Sequence, residues 1–209
     1  MIPVKVLAVR YLANAAPALA EGLGAPRGYP SLAMLTTDCD DATYIALDAA
    51  TKAADVRVSY GRSFYAGAAN ATTPNAGEVI GILAGATPGA VRSGMEAALS
   101  ALQRLGFEEV NGVPYLAHTV SSVGSFLASE AGVQAGSAIA YLIAPPLEGM
   151  YAMDAALKAA DVTLCRLYTP PSETNFGGGL LSGTQSACDA ACEAFRNAVT
   201  EVAQRPLER

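Results

Sequence analysis

LDAATKAADVRV, residues 47–58, and MDAALKAADVTL, residues 153–164, are two versions of one segment. Asp48, Ala49, Ala50, Lys52, Ala53, Ala54, Asp55 and Val56 recur as Asp154, Ala155, Ala156, Lys158, Ala159, Ala160, Asp161 and Val162. All the pairs share one interval, close to half the chain. Self-similarity at a fixed spacing decides architecture before any local reading does, and here it predicts two tandem copies of a small α/β unit. Weaker matches extend the repeat: Ser31–Leu35 aligns with Ser137–Tyr141, and Val79–Gly85 with Leu180–Gly183. The copies are placed at residues 1–108 and 109–209, each of ordinary domain size.

Composition bounds the class. Hydrophobic residues make up 52 % and charged residues 15 % of the chain, a globular balance. No apolar run reaches the ~20 residues that span a membrane, and Arg10 interrupts the N-terminal apolar stretch, so a signal peptide is not expected. A soluble, cytoplasmic chain is the expectation. The net charge of −6 and the lack of a basic cluster argue against nucleic acid and anionic membrane as partners. His118 is the only histidine and no CxxC occurs, so neither a zinc site nor a histidine-based nucleophile system is expected, and no cofactor is implied. Cys188 and Cys192, four apart, share one helix face and read as small core thiols.

The elements follow from patterning. Val4–Leu12, Ser31–Thr36, Val56–Tyr60 and Val79–Leu83 read as strands in the first copy, with a helix over Thr43–Ala54 and another opened by Thr87-Pro88 and running to Leu102. In the second copy Tyr115–Ser121, Ala138–Ile143, Val162–Leu167 and Leu180–Ser182 read as strands, Ala144-Pro145-Pro146 as a stop, and Met150–Ala160 and Thr184–Ala203 as helices. Two long loops stand at equivalent positions, Gly61–Gly77 and Thr169–Gly179. A loop of that length in a compact domain is commonly functional.

These residues resemble a known family. The DAALKAADVTL helix–strand resembles the bacterial microcompartment (BMC) shell domain, and its duplication resembles the tandem-domain, trimer-forming branch of that family. DDATYIALDAATKAAD (40–55), YGRSFYAGAAN (60–70), NAGEVIGILAG (75–85), PPSETNF (170–176) and SGTQSACDAACEAFRNAVTEVAQRPL (182–207) narrow it to the ethanolamine-utilisation members. The resemblance implies an α+β chain of two circularly permuted BMC domains, each a small antiparallel sheet flanked by helices. It further implies a homotrimeric, flat pseudohexamer that tiles a microcompartment shell with other shell proteins and catalyses nothing.

The same resemblance assigns roles. Lys52 and Lys158 match tile-edge lysines. The two long loops match segments that line or gate a central pore, placing Tyr65, Ala66, Gly67, Ser172, Glu173, Thr174, Asn175 and Phe176 there, with cobalamin as a conceivable large cargo. Asp40, Asp41 and Glu78 match acidic residues of a small pore that binds ethanolamine, and Phe107 a further backbone acceptor. Carboxylates suit a primary ammonium, whose positive charge and three donors they satisfy. A plainer reading makes Asp40 or Asp41 the N-cap of the following helix. A duplicated amine-sensing domain would use the same acids, and an enzyme would need partners for them that the chain lacks.

Overall fold

The computed structural model describes residues 1–64, 77–170 and 172–207. In chain order the elements are β1 (Ile2–Pro3), β2 (Val6–Leu12), α1 (Pro17–Gly22), β3 (Ser31–Thr37), α2 (Asp40–Ala53), β4 (Val56–Ser63), β5 (Val79–Gly85), α3 (Pro88–Leu102), β6 (Gly106–Val110), β7 (Val113–Val120), α4 (Ser125–Ala131), β8 (Ala138–Ala144), α5 (Pro146–Ala159), β9 (Val162–Tyr168), β10 (Gly177–Gly183) and α6 (Gln185–Gln204). They form two compact units. One comprises Pro3–Gly106 with Gly124–Leu127; the other comprises Met1–Ile2, Phe107–Val123 and Ala128–Arg209.

In the first unit the sheet runs β2-β3-β5-β4 and is antiparallel throughout. The helices α2 and α3 pack on each other and on this sheet. Leu35, Leu47, Leu83 and Met95 are fully buried beneath them. In the second unit β7-β8-β10-β9 repeats that order within a sheet extended by β6 and β1, with α5 and α6 against it. Its core gathers Leu142, Met153, Leu181, Cys188, Cys192 and Phe195. The two apolar thiols of α6 thus lie inward together, as their spacing predicts.

The duplication reaches single residues. Ser59 is skipped by the β4–β5 ladder, and Cys165 by the β9–β10 ladder. These two β-bulges are 106 positions apart. Thr87 and Thr184 each cap the last helix of their copy, accepting the N–H of Ala90 and Ala187.

Several expectations are corrected. Ser31 pairs with Gly85 and Ala138 with Gly183, so Ser31 corresponds to Ala138 and not to Ser137; the second copy has one residue fewer between strand and helix. The Pro145-Pro146 pair is a starter and not a stop, because Pro146 occupies the first helical position, where no N–H is needed. The second loop ends at Phe176. Gly177-Gly178-Gly179 is buried strand, and the reason is steric. A Cβ on Gly178 would strike the Leu142 carbonyl, and one on Gly179 the Arg166 carbonyl. Glycine is therefore what lets three strands lie this close, and it implies no extra loop freedom. The short helices α1 and α4 and the strands β1 and β6 had no strong periodic signal.

Candidate functional site

The acidic site is built where β3 ends, α2 begins and β5 begins. Thr37, the last residue of β3, locks the corner. Its hydroxyl donates to the Cys39 carbonyl at 2.9 Å and pairs with the Thr43 hydroxyl at 2.7 Å, which also reaches the Cys39 carbonyl at 2.7 Å. The Thr37 carbonyl accepts the Glu78 N–H at 2.9 Å. Gly77 makes that approach possible, since any Cβ there would strike the same carbonyl. The sequence Gly77-Glu78 thereby delivers a carboxylate to the helix start.

Cys39 is the N-cap of α2, with no side-chain cap bond. The plainer reading of Asp40 and Asp41 as caps is therefore corrected: they are the first two helical residues, where carboxylates are favoured by the helix dipole. Both are buried. Asp40 Oδ1 accepts the Asp41 N–H at 2.9 Å. Burial pushes the Asp40 carboxyl above the ordinary range, partly offset by the Ser63 hydroxyl and the Asp41 N–H. Ser63 in turn bonds the Tyr44 hydroxyl at 2.7 Å. Glu78 is pushed up to about 7, first by burial, then by the charges of Asp40 and Asp38. Burial and the charges of Asp41, Asp40 and Glu78 also push the Cys39 thiol up. The structure therefore brings Asp40, Asp41 and Glu78 together at one crowded acidic corner. It adds Asp38, which accepts the Lys5 N–H at 2.7 Å, and Ser63. Asp38 was visible in the DCDD run; Ser63 had no sequence signal, because only the β4–α2 packing selects it.

Phe107 belongs to the other unit. There its ring meets that of Phe176 edge-on at 5.6 Å. Ser172–Phe176 forms a turn: Asn175 takes a left-handed φ of 63°, and Ser172 Oγ accepts the Phe176 N–H at 3.1 Å. Glu173 and Asn175 are exposed and Thr174 is half-buried. Tyr65, Ala66 and Gly67 lie outside the described residues. Lys52 and Lys158 are exposed on their helices, each paired with the aspartate four residues earlier, at 3.5 Å to Asp48 and 2.6 Å to Asp154.

Asp48 is a residue that composition could not single out. It is fully buried, and its two oxygens accept the N–H groups of Gly124 at 2.7 Å and Leu127 at 2.9 Å. It fastens the Gly124–Leu127 segment to α2.

The BMC domain model of known families matches residues 31–114. The bacterial microcompartment shell protein EutL of Clostridium perfringens is 54 % identical over 99 % of this chain and 97 % of its own length. The chain belongs to the EutL family of bacterial microcompartment shell proteins. The EutL shell protein of Escherichia coli is 46 % identical over all of this chain and 97 % of its own. The crystal structure of EutL from Leptotrichia buccalis superposes with a TM-score of 0.95 at 54 % identity, covering 100 % of this chain and 98 % of that one. The duplicated units described above are thus tandem BMC domains, and the chain is a structural component of a microcompartment shell, not an enzyme. Among the described residues no helix is long and apolar enough to cross a membrane.

Proposed function

We propose that this EutL-family protein is a homotrimeric shell tile whose two BMC domains per chain, 1–108 and 109–209, make a flat pseudohexamer. Small ammonium-bearing metabolites of the ethanolamine type pass or dock at its acidic pocket. The observation that supports the ligand class best is the convergence of Asp40 and Glu78 on one corner, with Glu78 held at about 7 by burial and neighbouring negative charge. A cation entering that corner favours the ionised carboxylates and so offsets both causes. Its three donors and the hydroxyl of an amino alcohol suit the carboxylates and the Ser63 hydroxyl.

In this reading the segments holding Tyr65, Ala66, Gly67 and Ser172–Phe176 border a central pore, and Phe107 stands beside the second of them. Lys52 and Lys158 lie at tile edges beside neighbouring shell proteins. Cobalamin as a central-pore cargo rests on the resemblance alone.

Calorimetry with ethanolamine tests the pocket. Glu78→Gln with Asp40→Asn abolishes the binding heat while light scattering still reports three chains; unchanged affinity removes the pocket assignment. Concentrated protein viewed in negative stain tests the tile. Flat, hexagonally packed layers support it, and a chain that stays a soluble small oligomer turns the reading toward amine sensing.

A further inference from the structure

The capping threonines Thr87 and Thr184 stand 97 positions apart, and that interval sets α3 and α6 in register. The inward positions agree in character. Val91, Met95, Ala98 and Leu102 on α3 correspond to Cys188, Cys192, Phe195 and Val199 on α6, and all are buried. The outward positions differ. Arg92, Glu96, Ser100 and Arg104 correspond to Asp189, Glu193, Asn197 and Glu201, and every one of these is exposed. Spaced by four, each set makes one stripe along its helix face. Both arginines have become acids, while the middle positions keep a glutamate and an uncharged polar side chain.

The charges on each stripe are held in place. Arg92 lies over the Tyr11 ring at 4.8 Å. Arg104 stands just past the end of α3, and its Nη1 donates to Ser100 Oγ at 3.3 Å, which keeps the guanidinium on the stripe. On α6, Glu201 Oε2 accepts the Tyr151 hydroxyl at 3.3 Å, a neutral donor that leaves its charge uncancelled. The cation within α6, Arg196, is committed to Glu108 at 3.3 Å. Beside each stripe runs a row of small residues at the same spacing: Gly89, Ser93 and Ala97 on α3, and Ser186, Ala190 and Ala194 on α6. None of them is buried. Side chains this short let two helices approach closely, which brings the flanking charges within reach of each other.

Charge then decides which face fits which. Laid antiparallel, α3 against α6 sets Arg92 opposite Glu201, Glu96 opposite Asn197, Ser100 opposite Glu193 and Arg104 opposite Asp189. That arrangement holds two opposite-charge pairs and no like-charge pair. Laid parallel, it sets Glu96 against Glu193. Two α6 faces meeting antiparallel set Asp189 against Glu201, and two α3 faces set Arg92 against Arg104. The mixed antiparallel contact is the one without repulsion.

We infer that the α3 face of one chain docks antiparallel on the α6 face of a second copy of the chain in a neighbouring trimer, so that first-unit faces meet second-unit faces and not their own kind. The contact rests on the tile reading and adds a polarity to it. Two different faces of one chain make a heterologous contact, which propagates instead of closing on a pair. In the proposed pseudohexamer, opposite edges carry different units, so tiles related by translation satisfy the contact on every side. A two-fold axis between tiles would instead bring like faces together. Exposed ion pairs are individually weak, so what they supply here is the exclusion of wrong pairings.

Negative-stain microscopy of the full chain at rising concentration tests this, with light scattering and circular dichroism checking that each variant is a folded trimer. Asp189→Arg with Glu201→Arg makes both faces positive and raises the concentration at which layers appear by about tenfold or more. Asp189→Asn with Glu201→Gln, gentler to the fold, lies between that variant and the parent. Adding Arg92→Glu and Arg104→Glu to the double arginine variant reverses both faces and restores layers near the parent's threshold. Added sodium chloride raises the parent's threshold and lowers the double arginine variant's, because it screens attraction in one and repulsion in the other. Averaged images of parent layers show every trimer in one orientation. A double arginine variant that layers at the parent's threshold, a fourfold variant that stays as trimers, or parent layers whose trimers alternate in orientation overturn the polarity and leave the tile reading standing. A parent that forms no layers at any concentration removes both.

Discussion

Glu78 carries the most informative charge in the chain. Its carboxyl titrates at about 7 in the folded protein against an ordinary 4.5. Between those values the folded chain keeps a proton that the unfolded chain has released. Its contribution to stability therefore falls as pH rises through that window. Glu78→Gln removes this dependence. The variant melts above the parent at pH 8 and level with it at pH 4, and a variant that melts below the parent at pH 8 contradicts the assignment. Binding runs the other way. An alkylammonium keeps its charge across this range, so ethanolamine affinity measured by calorimetry rises from pH 6 to pH 8 as Glu78 ionises. Asp48 makes a different prediction. Asp48→Ala strips two buried N–H groups of their acceptor and costs about 2–5 kcal/mol in urea denaturation. Asp48 lies in the quoted repeat and Glu78 just after the first long loop, but only Glu78 could be chosen from sequence. Asp48 could not, since its partners, Gly124 and Leu127, come from 76 and 79 residues away.

Among the elements, caps were legible and close approaches were not. Thr87 before proline announces α3 by local chemistry, and the structure places its hydroxyl on the Ala90 N–H; Thr184, read as the first residue of α6, is its cap in the same way. Thr87→Ala and Thr184→Ala each lower stability by about 1 kcal/mol. The glycine run before Leu180 could not be read so directly, because its reason lies in strands β8 and β9. Gly178→Ala pushes a methyl into the Leu142 carbonyl and costs about 1–3 kcal/mol. Gly22→Ala, at the end of α1 with open space around it, is the control and raises stability by about 0.5 kcal/mol. The start of α2 was misjudged for a related reason. Asp40 and Asp41 have the chemistry of caps, and only the Thr37–Thr43 lock shows that the turn begins one residue earlier, at Cys39. The helices α1 and α4 escaped notice because they are 6 and 7 residues long, too short for an apolar period to declare itself.

For the whole molecule, the repeat was the right starting point: identity in one short segment predicted two copies of one α/β unit, and the structure adds the shared strand order and the matched bulges. What similarity could not show was how far the copies have parted. The strand pairing carries this precise comparison to the acidic corner. Asp40 and Asp41 stand where the second copy has Pro146 and Leu147, each at the start of its long helix. Glu78 precedes β5 as Phe176 precedes β10. One half of the chain is anionic at this corner and the other is apolar. In the proposed pseudohexamer, joining two copies in one polypeptide thus breaks the sixfold equivalence that six separate identical domains would be bound to keep. If the proposed tile and its acidic site hold, binding stoichiometry registers the break: a titration of the assembled protein with a small amine saturates at one molecule per chain, half the number that six identical domains would take.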